Sequence, residues 1–127
     1  MAVETITYDA TSSITPAGSQ SSPQTVSHTC TGFNRALVVT FYCGAANVNT
    51  SYTSPACTYN SVPMTLIKDQ VETTANQRRI ITFALANPTV GTNTISMSWA
   101  GGGSETGLAN VSYTGVAQSS PVDVSVS

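Results

Sequence analysis

The stretch "SHTCTGFNRALVVTFYCG", residues 27–44, decides how the rest of the chain is read. Its second half is apolar on both alternating faces: Leu37, Val39, Phe41 and Cys43 fall on one, Ala36, Val38, Thr40 and Tyr42 on the other. A short run of β-branched and aromatic residues with that pattern reads as a strand in the middle of a sheet, covered on both sides. The first half holds the chain's one histidine, His28, and Cys30; Cys43 closes the second half. These three residues are either a reactive or metal-binding group or part of a core. His28 and Cys30 are two apart on a strand and share a face with Val26. A zinc site needs about four ligands, and neither Cys-x-x-Cys nor His-x-x-x-His spacing occurs. The expectation is a core pair with no metal.

Working outward, apolar segments alternate with turn clusters along all 127 residues. Strands are expected near 2–8, 24–31, 35–43, 56–60, 62–71, 78–86, 93–99, 107–115 and 121–126, with no sustained helical period. In "TNTISMSW" (92–99), Ile95, Met97 and Trp99 are expected to point inward, and Thr94, Ser96 and Ser98 outward. Such strands around one core imply an all-β fold: a two-sheet antiparallel β-sandwich, jelly-roll-like, with 8–9 strands. One domain, 1–127, is expected, with residues 1–23 as an extended N-terminal segment and loop. The polar, proline-bearing "TSSITPAGSQSSP" (11–23) reads as surface loop. Gly32-Phe33-Asn34 suits a hairpin joining 24–31 to 35–43. Asn60-Ser61 suits a turn with positive φ, and Asn87-Pro88-Thr89-Val90-Gly91 another turn.

On that hairpin register Cys30 and Cys43 lie too far apart to bond. Cys43 and Cys57 bracket the polar loop 44–56 and are the better disulfide candidates, a bond that would add about 3 kcal/mol. Synthesis in a reducing compartment opposes it.

Composition narrows the function. Charged residues are 8% of the chain, hydrophobic residues 40%, and the net charge is −2. Four cations, with Arg78-Arg79 as the one adjacent pair, are too few to clamp a phosphate backbone, so no nucleic-acid partner is expected. No apolar run reaches the length of a membrane span, no polybasic patch occurs, and no basic-then-apolar leader opens the chain; no membrane partner or signal peptide is expected. One histidine and no Gly-x-Ser-x-Gly elbow leave nucleophilic catalysis without its parts. The six acids, Glu4, Asp9, Asp69, Glu72, Glu105 and Asp123, are scattered, so paired-carboxylate chemistry is not expected either. Gly101-Gly102-Gly103 lacks the Gly-Lys-Ser/Thr of a phosphate loop. No catalytic residue and no cofactor are expected. One of Arg78 and Arg79 should face the sheet exterior while the other pairs with Asp69 or Glu72. Among aromatics a sugar could use, Tyr52 in loop 44–56 is the best exposed candidate, ahead of Tyr59; Trp99 belongs to the core.

Four phrases together carry a resemblance: "SHTCTGFNRALVV", "TYNSVPMTLI", "LANPTVGTNTISMSW" and "ANVSYTGVAQSSPVD", over about residues 26–123. They resemble a loose group of bacterial and phage jelly-roll domains that includes capsid decoration (cement) proteins. Typical lines of that group carry a Thr-Gly-x-Asn-Arg strand start, a Thr-Tyr-Asn-Gly-Val hairpin, an Asn-Pro-x-x-Gly turn and a Ser-Tyr-Thr-Gly-Val strand. Here Ser61 stands in place of the hairpin glycine. The resemblance implies a structural virion protein that binds the outer capsid surface non-covalently. Its partners would be the major capsid protein and sister copies, a trimer being favoured, and its location the virion. The alternative is a carbohydrate-binding or adhesion module of a secreted bacterial protein, at the cell surface. The expected contact segments are Met1–Ala10 and loop 11–23. Val3, Thr5, Thr7, Ile14, Tyr52 and Arg78 are the candidate partner-binding residues. The tail "PVDVSVS" is expected as an edge strand.

Overall fold

The computed structural model describes residues 5–18, 20–46, 48–72, 74–75, 77–102 and 105–121. All but the first residue of the expected strand at 121–126, and the candidate contact Val3, lie outside the described residues. Nine strands form two antiparallel sheets. In chain order they are β1 (Thr7–Gly18), β2 (Gln24–Cys30), β3 (Ala36–Gly44), β4 (Tyr52–Tyr59), β5 (Val62–Pro63), β6 (Thr65–Val71), β7 (Arg78–Ala86), β8 (Gly91–Gly101) and β9 (Glu105–Thr114). A single helical turn, α1 (Val48–Ser51), precedes β4. One sheet runs β1-β9-β3-β7-β6 and the other β2-β8-β4-β5. The first four strands alternate between the sheets and β7, β8 and β9 return beside them, which is jelly-roll winding with β6 added at an edge.

The central-strand reading holds for position but not for cover on both sides, because Val38, Thr40 and Tyr42 on the outer face of β3 are only half-buried. β3 lies mid-sheet between β9 and β7, with Leu37, Val39, Phe41 and Cys43 fully buried between the sheets. From the opposing sheet come Ile95, Met97 and Trp99 of β8 and Cys57 and Tyr59 of β4. The Phe41 and Trp99 rings stack at 5.0 Å, and Tyr52 meets Phe41 edge-on at 6.3 Å. Aromatic contacts of this kind add to the burial of the rings themselves.

The turns also follow the residues. Asn34, Asn60 and Asn87 take positive φ of 52°, 49° and 52°, a conformation that asparagine tolerates better than most side chains. Asn60 and Ser61 (φ 64°) both lie in the left-handed region between the paired Tyr59 and Val62, a two-residue turn of the I′ kind. Ser61 holds a glycine-favoured conformation at a cost of about 1 kcal/mol. Ser61→Gly is therefore expected to raise the midpoint of thermal unfolding by about 4 °C, read by calorimetry.

Four expectations are corrected. Residues 11–18, expected as part of a loop over 11–23, continue an edge strand that begins at Thr7: β1 pairs with β9 from Thr7↔Thr114 to Gly18↔Glu105. Its proline, Pro16, sits in a bulge between Ile14 and Ala17, where a missing amide proton costs no ladder bond. The supposed hairpin 24–31/35–43 does not exist. β2 pairs with β8 and β3 with β7 and β9, so Gly32–Asn34 carries the chain from one sheet to the other. Segment 44–56 is largely ordered as α1 and the start of β4, and Tyr52 within it is 2% exposed. Its hydroxyl donates to the carbonyls of Gly44 (3.0 Å) and Glu105 (3.2 Å), so it belongs to the core. Finally, Cys43 and Cys57 lie on opposite sheets, and all three cysteines are free and buried.

Candidate binding surface

His28 and Cys30 point into the sandwich, as their spacing implies. His28 sits where the edge strands β1 and β2 face each other across the open side of the fold. Ser12 Oγ lies 2.8 Å from His28 Nδ1, and Ser112 Oγ 2.9 Å from Nε2. Ser112 donates to Asp9 at 2.8 Å, and Asp9 also accepts from the hydroxyl and backbone amide of Thr31. A carboxylate only accepts, which sets the direction of the chain. Ser112 gives its proton to Asp9, so its oxygen takes the proton of His28 Nε2. Nδ1 is then bare and accepts from Ser12, whose oxygen accepts from the Asn110 amide at 3.1 Å. Serine, histidine and aspartate thus stand in one line, but the line is a cross-sheet clamp of mutually satisfied groups joining β1, β2 and β9.

The clamp predicts acid sensitivity. Burial lowers the His28 pKa from its ordinary 6.5, against the opposing pull of Asp9. Burial raises Asp9, but the hydrogen bonds from Thr31 and Ser112 and the proximity of His28 outweigh it, and its pKa falls below 3.8. A histidine with a lowered folded pKa contributes fully above the unfolded value and loses that contribution as pH falls through it. Stability is therefore expected to decline from about pH 6.5 downward, with a second loss below the ordinary aspartate range. Urea unfolding across pH 7 to 2 measures both losses, and a His28→Asn chain should lack the first.

The cysteines offer no reactive thiolate. Burial pushes Cys43 up to about 11 and Cys57 up to about 12, and it also raises Cys30. Among the described residues, no three His, Cys, Asp or Glu side chains gather as metal ligands.

Arg79 and Asp69 form an ion pair between β7 and β6. Arg79 also donates to the carbonyls of Val48 (3.3 Å) and Tyr52 (2.7 Å), tying α1 and β4 to the five-stranded sheet. Arg78 points to the sheet exterior, as one of the pair was expected to.

The motifs that carry the family resemblance meet at one end of the sandwich. Arg35 donates to the carbonyls of Pro88 and Gly32, both at 2.7 Å, and to the Asn87 side chain at 2.8 Å. The amides of Gly115 and Val116 donate to the carbonyls of Phe33 and Asn34, and the Gln118 side chain to that of Arg35. At Gly115 (φ 72°) a Cβ would overlap the Thr5 carbonyl. The Thr-Gly-x-Asn-Arg, Asn-Pro-x-x-Gly and Tyr-Thr-Gly-Val motifs are therefore one staple, and their residues are explained by folding.

Compared with known proteins, the chain matches no family model, no curated protein and no solved structure. The molecular surface itself must then supply the site.

The two outer faces differ. On the four-stranded sheet the outward rows are almost all hydroxyl-bearing: Thr25, Ser27 and Thr29 of β2 and Thr92, Thr94, Ser96 and Ser98 of β8. Thr29 and Thr92 share a hydrogen bond of 2.8 Å across the strands. On the five-stranded sheet the outward residues near the staple are apolar. Ala36 and Val38 of β3 lie beside Ala84 of β7 and Val111 and Tyr113 of β9. Ala36, Val38, Ala84 and Tyr113, with Ile6, Val116 and Pro121, line a hollow of about 300 Å³. Tyr8, paired with Tyr113, is 60% exposed and Ile6 63%. The opposite end of this sheet is polar, with Tyr42, Arg78 and Glu105.

The candidate contact residues scatter. Thr5 and Thr7 are exposed, and Thr5 lies beside the Gly32–Asn34 turn. Ile14 turns inward and packs against the core. Tyr52 is buried, as are Tyr59 and Trp99, so none of the three aromatics weighed for sugar contact is at the surface. Arg78 lies at the polar end of the five-stranded sheet, far from Thr5 and Thr7. Val38, Ala84 and Tyr113 were missed. Their signal was the second apolar face of "RALVVTFYC", which sequence reasoning assigned to burial within the chain.

Proposed function

We propose that the chain is a structural protein acting by non-covalent protein–protein contact, a decoration protein of a virion, with the apolar outer face of the five-stranded sheet as its contact surface. The observation that carries this reading is the contrast between the two faces. One is a hydroxyl-covered surface suited to water, and the other carries, near the staple, an apolar patch on which Ile6 and Tyr8 stay largely exposed. The apolar half of the sheet, five strands about 4.8 Å apart and some 15 Å long, gives a footprint of roughly 350 Å², so a stable interface of roughly 800 Å² per partner would draw on contact with sister copies as well. The resemblance of the quoted motifs supplies the choice of partner: capsid subunits and sister copies.

Removing residues 1–10 would not test this, because it deletes Asp9 from the His28 clamp and the start of β1. A charge placed on the face does. Wild-type chain and Thr94→Lys are expected to co-sediment with purified capsids of the virion concerned, and Val38→Lys to stay in the supernatant. Equal behaviour of the two variants would refute the assignment of the face.

A further inference from the structure

At the end of the five-stranded sheet remote from the apolar hollow, two contiguous hollows of about 350 and 410 Å³ share Tyr42 and Arg78 as a common wall. We infer that this groove binds a neutral oligosaccharide. Its shared wall, Tyr42, lies four residues along β3 from Val38, or roughly 13 Å, so a variant at Val38 can be told apart from one in the groove.

The argument starts from what the groove offers. Gly44 gives the first hollow a bare floor, and a Cβ there would come within 3.2 Å of Glu105 Cγ and 3.4 Å of the Tyr42 hydroxyl. Tyr42 donates to Glu105 Oε1 at 2.8 Å, and Arg78 stands beside it in the wall of both hollows. The phenol is thus fixed in place before any ligand arrives, which lowers the ordering cost of binding. Around it converge donors from Arg78 and Gln77 and an acceptor in Glu105. The second hollow adds Gln70 and the apolar flank of Ile80. A sugar hydroxyl donates and accepts at once, and a pyranose ring presents an apolar face to aliphatic and aromatic side chains. The mixture of planar polar groups and apolar flanks therefore matches a sugar on both counts.

Charge argues against an anionic ligand. Arg79 is held by Asp69, and Arg78 is opposed by Glu105 and Glu72 in the two hollows. No surplus positive charge is left for a phosphate or carboxylate. The open, double form of the groove suits two or more linked rings rather than one enclosed monosaccharide.

The test probes an array of neutral and acidic oligosaccharides with the intact chain, then titrates the best retained glycan by calorimetry. Neutral glycans should be retained. Arg78→Ala and Gln77→Ala, both at exposed positions, should each weaken binding ten-fold or more at unchanged unfolding temperature, and Glu105→Gln should do the same. Val38→Lys should bind as wild type does, which separates this site from the contact face. Retention of acidic glycans alone, retention of no glycan, or equal affinity in the groove variants would overturn the inference.

Discussion

Replacing His28 by alanine is expected to lower stability by about 3–4 kcal/mol, the largest effect of any single polar side chain here. The imidazole is 2% exposed and bonded at both nitrogens. Its removal leaves a cavity and strips Ser112 of a donor and Ser12 of an acceptor. Each stranded buried group costs about 1–3 kcal/mol, and the lost packing adds to that. Domains of this size have only about 5–15 kcal/mol in total. The position also matters. β1 is an edge strand with one in-sheet neighbour, β9, and the clamp is what attaches it to β2 in the other sheet. Ser12→Ala removes a half-exposed hydroxyl but strands His28 Nδ1 and the Asn110 amide, with no comparable cavity, and should cost about 2 kcal/mol. Urea unfolding of the two variants checks the order. A His28→Ala loss below about 1 kcal/mol, within the range of ordinary surface substitutions or little above it, would show that the network is incidental.

The second large effect concerns the outer face. Val38 is central on the five-stranded sheet and half-buried between its neighbours Val111 and Ala84. Val38→Lys puts an ammonium in the middle of an apolar contact, where burying it unpaired costs several kcal/mol. Association through this face should weaken by at least a hundred-fold. Folding should survive, since the lysine stem can lie along the sheet and reach water in the free chain. Thr94→Lys is the matching control on the hydroxyl face, and should change association by less than two-fold.

What the sequence made legible was local. Alternation in "RALVVTFYC" and "TISMSW" identified core strands, and asparagines marked positive-φ turns. The strand parity of His28 and Cys30 pointed to a core pair, and Arg79 found Asp69 as one of its expected partners. What it hid was decided by distant partners. "TSSITPAG" is made of residues that favour turns, and it becomes a strand because β9, about a hundred residues away, offers it a ladder and His28 takes its Ser12. Tyr52 looked like loop because nothing nearby in sequence shows that Phe41 and Trp99 receive its ring. The hairpin reading of 24–43 failed for the same reason. A turn sequence fixes the direction of the chain, while the choice of sheet is made by the strands that pair later. Of the residues on the two proposed surfaces only Arg78 stood out in the sequence, because apolar and aromatic residues on a strand read equally well as core.

The most direct measurement of the central claim is the solution mass of the chain by light scattering, compared across wild type, Val38→Lys and Thr94→Lys at one concentration. The account predicts a discrete oligomer, a trimer foremost, for wild type and Thr94→Lys, and a folded monomer for Val38→Lys. An oligomer that Val38→Lys leaves intact, or one that Thr94→Lys disrupts instead, would contradict it.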